Sequence, residues 1–83
     1  MSLADDVRQY CKETYVDPAR TRAEETVVIR SGDVHRALNY KNRYPLVCSA
    51  IGSNLFEELC SVRRISVEGP LNGVSTLFTF ELI

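Results

Sequence analysis

The chain has 83 residues, of which 45% are hydrophobic and 25% charged, and its formal net charge is −1. A chain of this length forms one domain, here residues 1–83, and buries about 60–65% of the surface that its unfolded form exposes. The composition excludes a disordered tail. The near-zero charge excludes a strongly basic nucleic-acid binder, although a neutral total is compatible with a local basic patch.

The longest stretches without a charged residue, 44–56 and 69–80, contain 13 and 12 residues. Both are shorter than the roughly 20 apolar residues that span a membrane. Asp5 and Asp6 make the first residues acidic, whereas a signal peptide is basic and then apolar. We therefore expect a cytoplasmic protein with no membrane partner.

The three cysteines, Cys11, Cys48 and Cys60, are odd in number and lack the spacing of a metal site. Since the chain also has a single histidine, a zinc site would have to be assembled from scattered ligands. We expect the cysteines to pack in the core, and we expect neither a metal nor another cofactor.

A first helix is predicted over residues 3–15. Ser2 is a favourable N-cap, and Asp5, three residues later, completes a capping box. Apolar residues recur at steps of three and four and form one stripe, which a partner must cover. The stripe consists of Leu3, Val7, Tyr10, Cys11 and Tyr15.

Residues 16–25 form a polar connector, either a short helical turn started by Asp17 and Pro18 or a surface loop. Its arginines, Arg20 and Arg22, either solvate that loop or contact a phosphate. The β-branched run at 26–30 then predicts a short buried strand.

A second helix is predicted over residues 31–38, with Ser31 as its N-cap and its end by Asn39, which tolerates the left-handed conformation. Its inner face is predicted to hold Val34, Ala37 and Leu38, and Asp33, His35 and Arg36 point elsewhere.

A polar turn at 39–43 precedes a third helix, predicted to begin near Arg43 and to extend to Cys60, with Pro45 in its first turn. Gly52 lies at the edge of its inner arc, where it allows close approach to the preceding helix. On a helical wheel the inward arc holds Val47, Cys48, Ile51, Leu55 and Leu59. The outward arc holds Leu46, Ser49, Ala50, Ser53 and Glu57.

The remaining residues predict a β-hairpin with strands at 62–68 and 74–82 and a turn at 69–73. Phe78, Phe80 and Leu82 alternate onto one face of the second strand, and Ile65 and Val67 are the candidate opposing residues.

This order of elements resembles the winged helix-turn-helix fold, an α+β architecture of three helices, a short first strand and a C-terminal hairpin. The resemblance covers nearly the whole chain, and it is one of architecture without a diagnostic motif. It makes the third helix the recognition helix and the turn at 69–73 the wing. Residues 29–50 also resemble a segment of short prokaryotic proteins, which implies no function.

The winged-helix resemblance implies a transcriptional regulator that binds double-stranded DNA, with the third helix in the major groove and the wing near the backbone. A specific site would require a homodimer, because two half-sites double the number of contacts. The candidate nucleic-acid-binding residues are Arg36, Lys41, Asn42, Arg43, Tyr44, Ser49, Ser53 and Asn72.

Other features favour a non-catalytic protein-interaction or assembly module on the same fold. Glu57 lies on the outward arc, the wing tip has no cation, and only three or four phosphate contacts per chain are available. Small outward residues also suit packing against a protein, through Leu46, Ser49, Ala50 and Ser53. Arg63 and Arg64 either lie beside the wing or pair with Glu57, Glu58 or Glu68.

No constellation predicts an enzyme. His35 is the only histidine, and Ser31 lacks the preceding glycine of a nucleophile elbow. The adjacent glutamates at 24–25 and at 57–58 point in different directions on a helix, and the glycines are too far apart for a phosphate-binding loop.

Overall fold

The structure is a computed structural model that describes residues 2–70 and 73–83. Over these ranges the chain is α+β, as predicted, with helices packed against a three-stranded antiparallel sheet. Asn72, a candidate DNA contact at the tip of the predicted wing, lies outside the described residues. No helix in the described ranges is long and apolar enough to cross a membrane.

The first helix is longer than predicted and continues through most of the expected connector. Helix α1 (Leu3–Cys11) passes without a break into a π-helical segment (Lys12–Val16) and then into α2 (Asp17–Thr21). Its buried residues are Val7, Cys11, Val16 and Ala19. The step of five between Cys11 and Val16 breaks the α-helical period, and the wider π-helical turn absorbs the extra residue. The end predicted at Tyr15 is therefore wrong.

Strand β1 (Thr26–Arg30) leads directly into α3 (Ser31–Ala37). The strand has the predicted bounds, but it is buried on one face only, through Val27 and Ile29. Ser31 is not the N-cap of α3. It lies one residue inside the helix, and its hydroxyl donates to the carbonyl oxygen of Gly73 at 2.6 Å.

The long third helix of the prediction is two helices, α4 (Tyr44–Ile51) and α5 (Asn54–Cys60). Ser53 caps α5, because its hydroxyl accepts the N–H of Phe56 at 3.2 Å. The break resets the phase of the helical wheel. As a result Leu55 and Leu59, predicted to be inward, are 59% and 43% exposed. Ala50, which precedes the break and was predicted to be outward, is buried with the inner face of α4.

Strands β2 (Val62–Glu68) and β3 (Leu77–Leu82) form the predicted hairpin, although β3 begins three residues later than expected. The sheet order is β1-β3-β2, with both neighbours of β3 antiparallel to it. Val67 lies opposite Phe78 as predicted, but Ile65 occupies a β-bulge and is exposed.

The core lies between α1, α4 and the inner face of the sheet, where Phe56 and Phe80 are fully buried with ring centroids 5.1 Å apart. Gly32 brings α3 against the chain between β2 and β3, since a Cβ there would lie 2.3 Å from the carbonyl oxygen of Val74. The core therefore fixes α3, and with it the turn that follows.

Candidate nucleic-acid interface

Positive charge is concentrated between α3 and α4. From Val34 to Phe56 the sequence contains Arg36, Lys41 and Arg43 and no aspartate or glutamate, a local charge of +3. The whole chain carries −1, so the remaining residues carry −4. The near-zero net charge of the chain is therefore compatible with one strongly basic segment.

Most other cations already have acceptors in the protein. Four of them form ion pairs: Arg8 with Asp5, Lys12 with Asp17, Arg22 with Glu24, and Arg63 with Glu81. Arg20 donates to the carbonyl oxygens of Cys60, Ser61 and Ile83, and Arg64 donates to that of Gly52.

These contacts correct several predictions. Arg63 pairs with the cross-strand Glu81 rather than with Glu57, Glu58 or Glu68. Glu57 accepts the main-chain N–H of Arg64 at 2.9 Å, so its carboxylate is engaged within the protein.

Within the described ranges Lys41 and Arg43 form no ion pair, and both are exposed. Arg36 is also exposed, and its only ion pair among the described residues is a long contact of 3.7 Å with Asp33. Among these residues, three of the four cations that lack a close acceptor therefore lie at the end of α3 or in the α3–α4 turn, and the fourth is Arg30.

Two left-handed residues shape this turn. Asn39 has φ 60° and Asn42 has φ 54°, and short polar side chains tolerate that conformation better than most residues do. Asn39 follows α3 as predicted. Asn42 is exposed and sits between Lys41 and Arg43, so its backbone sets the direction in which both cations leave the turn.

The buried side chain of His35 packs against the turn and accepts a hydrogen bond from it, a role that the sequence did not predict. Its side chain is 5% exposed, and Nε2 accepts the main-chain N–H of Arg43 at 3.1 Å. Tyr44 stacks on the imidazole with centroids 3.9 Å apart, and Tyr40 meets it edge-on at 6.1 Å. The tyrosines on either side of the turn were the available signal for a buried aromatic partner.

Two of the predicted contacts, Tyr44 and Ser53, change role. Tyr44 is half-buried against His35, and Ser53 is occupied as the cap of α5, with its hydroxyl also donating to the carbonyl oxygen of Ala50 at 2.7 Å. Ser49 remains an exposed hydroxyl on α4, as predicted. The structure thus brings Arg36, Lys41, Asn42 and Arg43 together around the turn and separates Ser53 from them.

A groove of about 490 Å³ opens where the C-terminal end of α4 meets β2 and β3. Its polar lining comes from Ser49, Ser53, Arg64 and Thr76, and its apolar lining includes Val67 and Phe78. Gly52 borders it: a Cβ there would lie 3.1 Å from Nη1 of Arg64 and 3.4 Å from the Phe78 ring. The predicted close approach of Gly52 to the preceding helix is therefore wrong.

All three cysteines are buried, as predicted, and none forms a disulfide. Burial raises the pKa of Cys11 to about 12 and that of Cys60 to about 11, because a thiolate is poorly solvated there. In the part of the chain that the structure describes, no group of three or more His, Cys, Asp or Glu side chains is placed to hold a metal ion.

Comparison with models of protein families, with curated proteins and with solved structures finds no match to this chain.

Proposed function

We propose that the protein binds double-stranded DNA through the α3–α4 turn and the exposed side of α4. The observation that carries this proposal is the gathering of exposed cations without a close acceptor, Arg36, Lys41 and Arg43, in a segment that has no carboxylate. Duplex DNA is the polyanion that such a cluster favours, since each neutralised phosphate releases counterions.

The first turn of α4 adds to this surface. Its N-cap, Arg43, makes no side-chain capping bond, so the N–H groups of Tyr44 and Leu46 are left for an external acceptor, whereas Pro45 has no N–H. The positive end of a helix dipole favours a phosphate at the same place.

The arrangement of elements supports a winged-helix reading of the fold. If α1, the π-helical segment and α2 are counted as one continuous helix, the order helix, β1, α3, α4, β2, β3 is that of the resemblance, and β1 pairs beside the hairpin. Helix α5 is additional. On this reading α4 is the recognition helix, and Ser49 is the small polar residue on its groove-facing side.

Fluorescence anisotropy with random-sequence duplex DNA, at about 50 and about 200 mM salt, tests the proposal. We expect binding to weaken steeply between the two concentrations. Each phosphate contact contributes about 0.9 to the magnitude of the slope of log K against log salt, where K is the binding constant for DNA. In the double variant Lys41→Ala/Arg43→Ala, which removes two contacts per chain, this slope should be smaller by about 1.8 per chain.

The matched control is Arg22→Ala/Arg63→Ala. It changes the net charge by the same amount but removes cations that already pair with Glu24 and Glu81. An equal loss of slope in both double variants would show that only total charge matters, and would overturn the site. Absence of binding by the unmodified protein at the lower salt would overturn the function.

A non-catalytic protein-interaction module is the second candidate. The observation in its favour is the exposed pair Leu55 and Leu59, four residues apart on α5 and therefore on the same side of the helix. A protein that does not bind duplex DNA but whose cross-linked complexes with other proteins are lost in Leu55→Ser/Leu59→Ser would favour it.

A further inference from the structure

Strand β1 has a free edge. Its register with β3 is unbroken from Thr26, opposite Glu81, to Arg30, opposite Leu77. Just beyond these ends, the N–H of Leu82 donates to the oxygen of Glu25 and the N–H of Ser31 donates to that of Thr76. These two bonds fix which residues of β1 face β3.

Hydrogen-bonded residues alternate along an antiparallel pair. Because positions 25 and 31 are bonded to β3, Val27 and Ile29 are bonded to it as well. The main-chain N–H and C=O groups of Thr26, Val28 and Arg30 therefore point to the opposite edge. No described residue provides a partner for them.

The other edge of the sheet is protected. A β-bulge at Ile65 interrupts β2, and the outward N–H of Arg64 is taken by the carboxylate of Glu57. Bulges and charged side chains are the usual devices that prevent edge-to-edge pairing. Strand β1 has no bulge, no proline and no charged residue before its last position.

We propose that β1 pairs with β1 of a second copy of this chain, antiparallel about a two-fold axis at Val28, so that two three-stranded sheets join into one of six strands. Val28 then lies opposite its own symmetry mate, and Thr26 lies opposite Arg30. Both are hydrogen-bonded pairs, which gives about six main-chain hydrogen bonds across the axis. The contact uses the same residues on both copies, as a two-fold interface requires.

The side chains of the strand fit this pairing. Val28 is 52% exposed, and β-branched residues pair well across strands. The antiparallel arrangement places Glu25, which precedes β1 and forms no ion pair among the described residues, at the end of the partner strand where Arg30 lies. Its neighbour Glu24 is already paired with Arg22. Arg30 has no ion pair within the described chain. The two ends of the strand are thus complementary in charge.

Light scattering tests the proposal, with a mass of twice 9.4 kDa expected for the unmodified protein and 9.4 kDa for Val28→Pro. Proline at position 28 removes the main-chain N–H at the centre of the free edge. It breaks no hydrogen bond to β3, and proline is tolerated on edge strands. Val28→Lys, which places two ammonium groups opposite each other, should also be monomeric and keeps the N–H. Val28→Thr retains both shape and donor and should remain dimeric.

Circular dichroism identifies the variants that fold, and Val28→Lys provides the test if Val28→Pro does not. An unmodified protein of 9.4 kDa, or a folded Val28→Lys variant that remains a dimer, would overturn the interface. These outcomes are independent of DNA binding, because the measurements contain no DNA.

A disulfide between copies locates the axis. Opposed residues of a hydrogen-bonded pair have Cα atoms about 5.5 Å apart, within the range that a disulfide spans. With oxidised glutathione as the electron acceptor, Val28→Cys should cross-link the dimer. Ile65→Cys, which is similarly exposed at 55% on the protected strand, should not. Equal cross-linking of both variants would overturn the proposed register.

Discussion

At the scale of single residues, His35 links the core to the candidate interface. Its imidazole is buried, holds the main-chain N–H of Arg43 and stacks on Tyr44. The flanking tyrosines indicate an aromatic partner for His35, but the sequence does not predict its acceptor function, which depends on a turn that returns the chain to His35 at Arg43, eight residues later. The sequence placed His35 on the outward side of the second helix, and tertiary contacts placed it inside.

We expect His35→Phe to lower the free energy of unfolding by about 1 kcal/mol, because it keeps the ring stack but leaves the N–H of Arg43 without an acceptor. His35→Ala should lose about 3 kcal/mol, since the stack is lost as well. Urea unfolding followed by circular dichroism measures both. Tyr44→Phe is the control, with a change within about 0.5 kcal/mol. A His35→Phe variant as stable as the unmodified protein would show that the hydrogen bond does not stabilise the turn.

The buried thiol of Cys11 predicts a loss of stability at high pH. Its pKa is about 12 when folded, against an ordinary value of 9.0, so the unfolded chain releases the proton first as pH rises. The stabilisation is complete below pH 9 and is lost progressively up to about pH 12, at about 1.4 kcal/mol per pH unit.

Urea unfolding at about pH 8 and about pH 10 measures this effect. Between these two pH values the free energy of unfolding should fall by about 1.4 kcal/mol less in Cys11→Ala than in the unmodified protein, because the variant lacks the thiol that titrates. An identical loss in the two proteins would contradict the prediction.

At the scale of elements, the break between α4 and α5 decides which side chains are available. Apolar spacing alone favoured one helix through Gly52 and Ser53, although a glycine followed by a serine that can act as an N-cap is itself a local signal for a break. The tertiary structure favours two, since the reset at Ser53 turns Phe56 and Cys60 into the core. The capping box at Ser2 and Asp5, by contrast, forms as predicted because both partners are three residues apart on one helix.

Ser53→Ala should therefore lower the free energy of unfolding by about 1 kcal/mol, the usual cost of removing an N-cap. It should leave DNA affinity unchanged, because the hydroxyl is engaged with Phe56 and Ala50. The matched control for stability is Ser49→Ala, the same substitution at an exposed hydroxyl on α4. Its free energy of unfolding should change by less than about 0.5 kcal/mol. Weaker DNA binding by Ser53→Ala at unchanged stability would restore Ser53 to the interface.

At the scale of the whole molecule, the proposed DNA binding and the proposed dimer depend on two separate surfaces. The basic α3–α4 turn provides a small number of phosphate contacts, and the free edge of β1 provides a means of doubling them in a dimer. Since the salt dependence of binding counts contacts, it reports whether both copies engage one duplex.

If both copies engage one duplex, Val28→Lys should bind random-sequence DNA with about half the slope of log K against log salt shown by the unmodified protein. Anisotropy titrations at several salt concentrations measure this slope. Because the substitution adds a cation, a lower slope cannot come from its charge. An unchanged slope in a monomeric variant would show that one copy suffices for DNA binding.

The sequence by itself determined the elements whose signals are local. The capped start of the first helix, the strand at 26–30, the left-handed Asn39 and the inward Phe78 and Phe80 follow from caps, β-branched runs and strand alternation. It also singled out Lys41, Asn42 and Arg43, which are exposed in the structure, ahead of α4. Short-range preferences suffice for these because each partner lies within a few residues.

The tertiary structure alone decided the rest. These features are the π-helical segment, the division of the third helix, the burial of His35 and the free edge of β1, and each depends on how the elements pack against one another. The physical reason is that a periodic pattern shows which residues of a helix are apolar, whereas the position at which the helical periodicity shifts is set by packing against the rest of the protein. Likewise, only the assembled sheet shows which main-chain groups and which cations are left without partners.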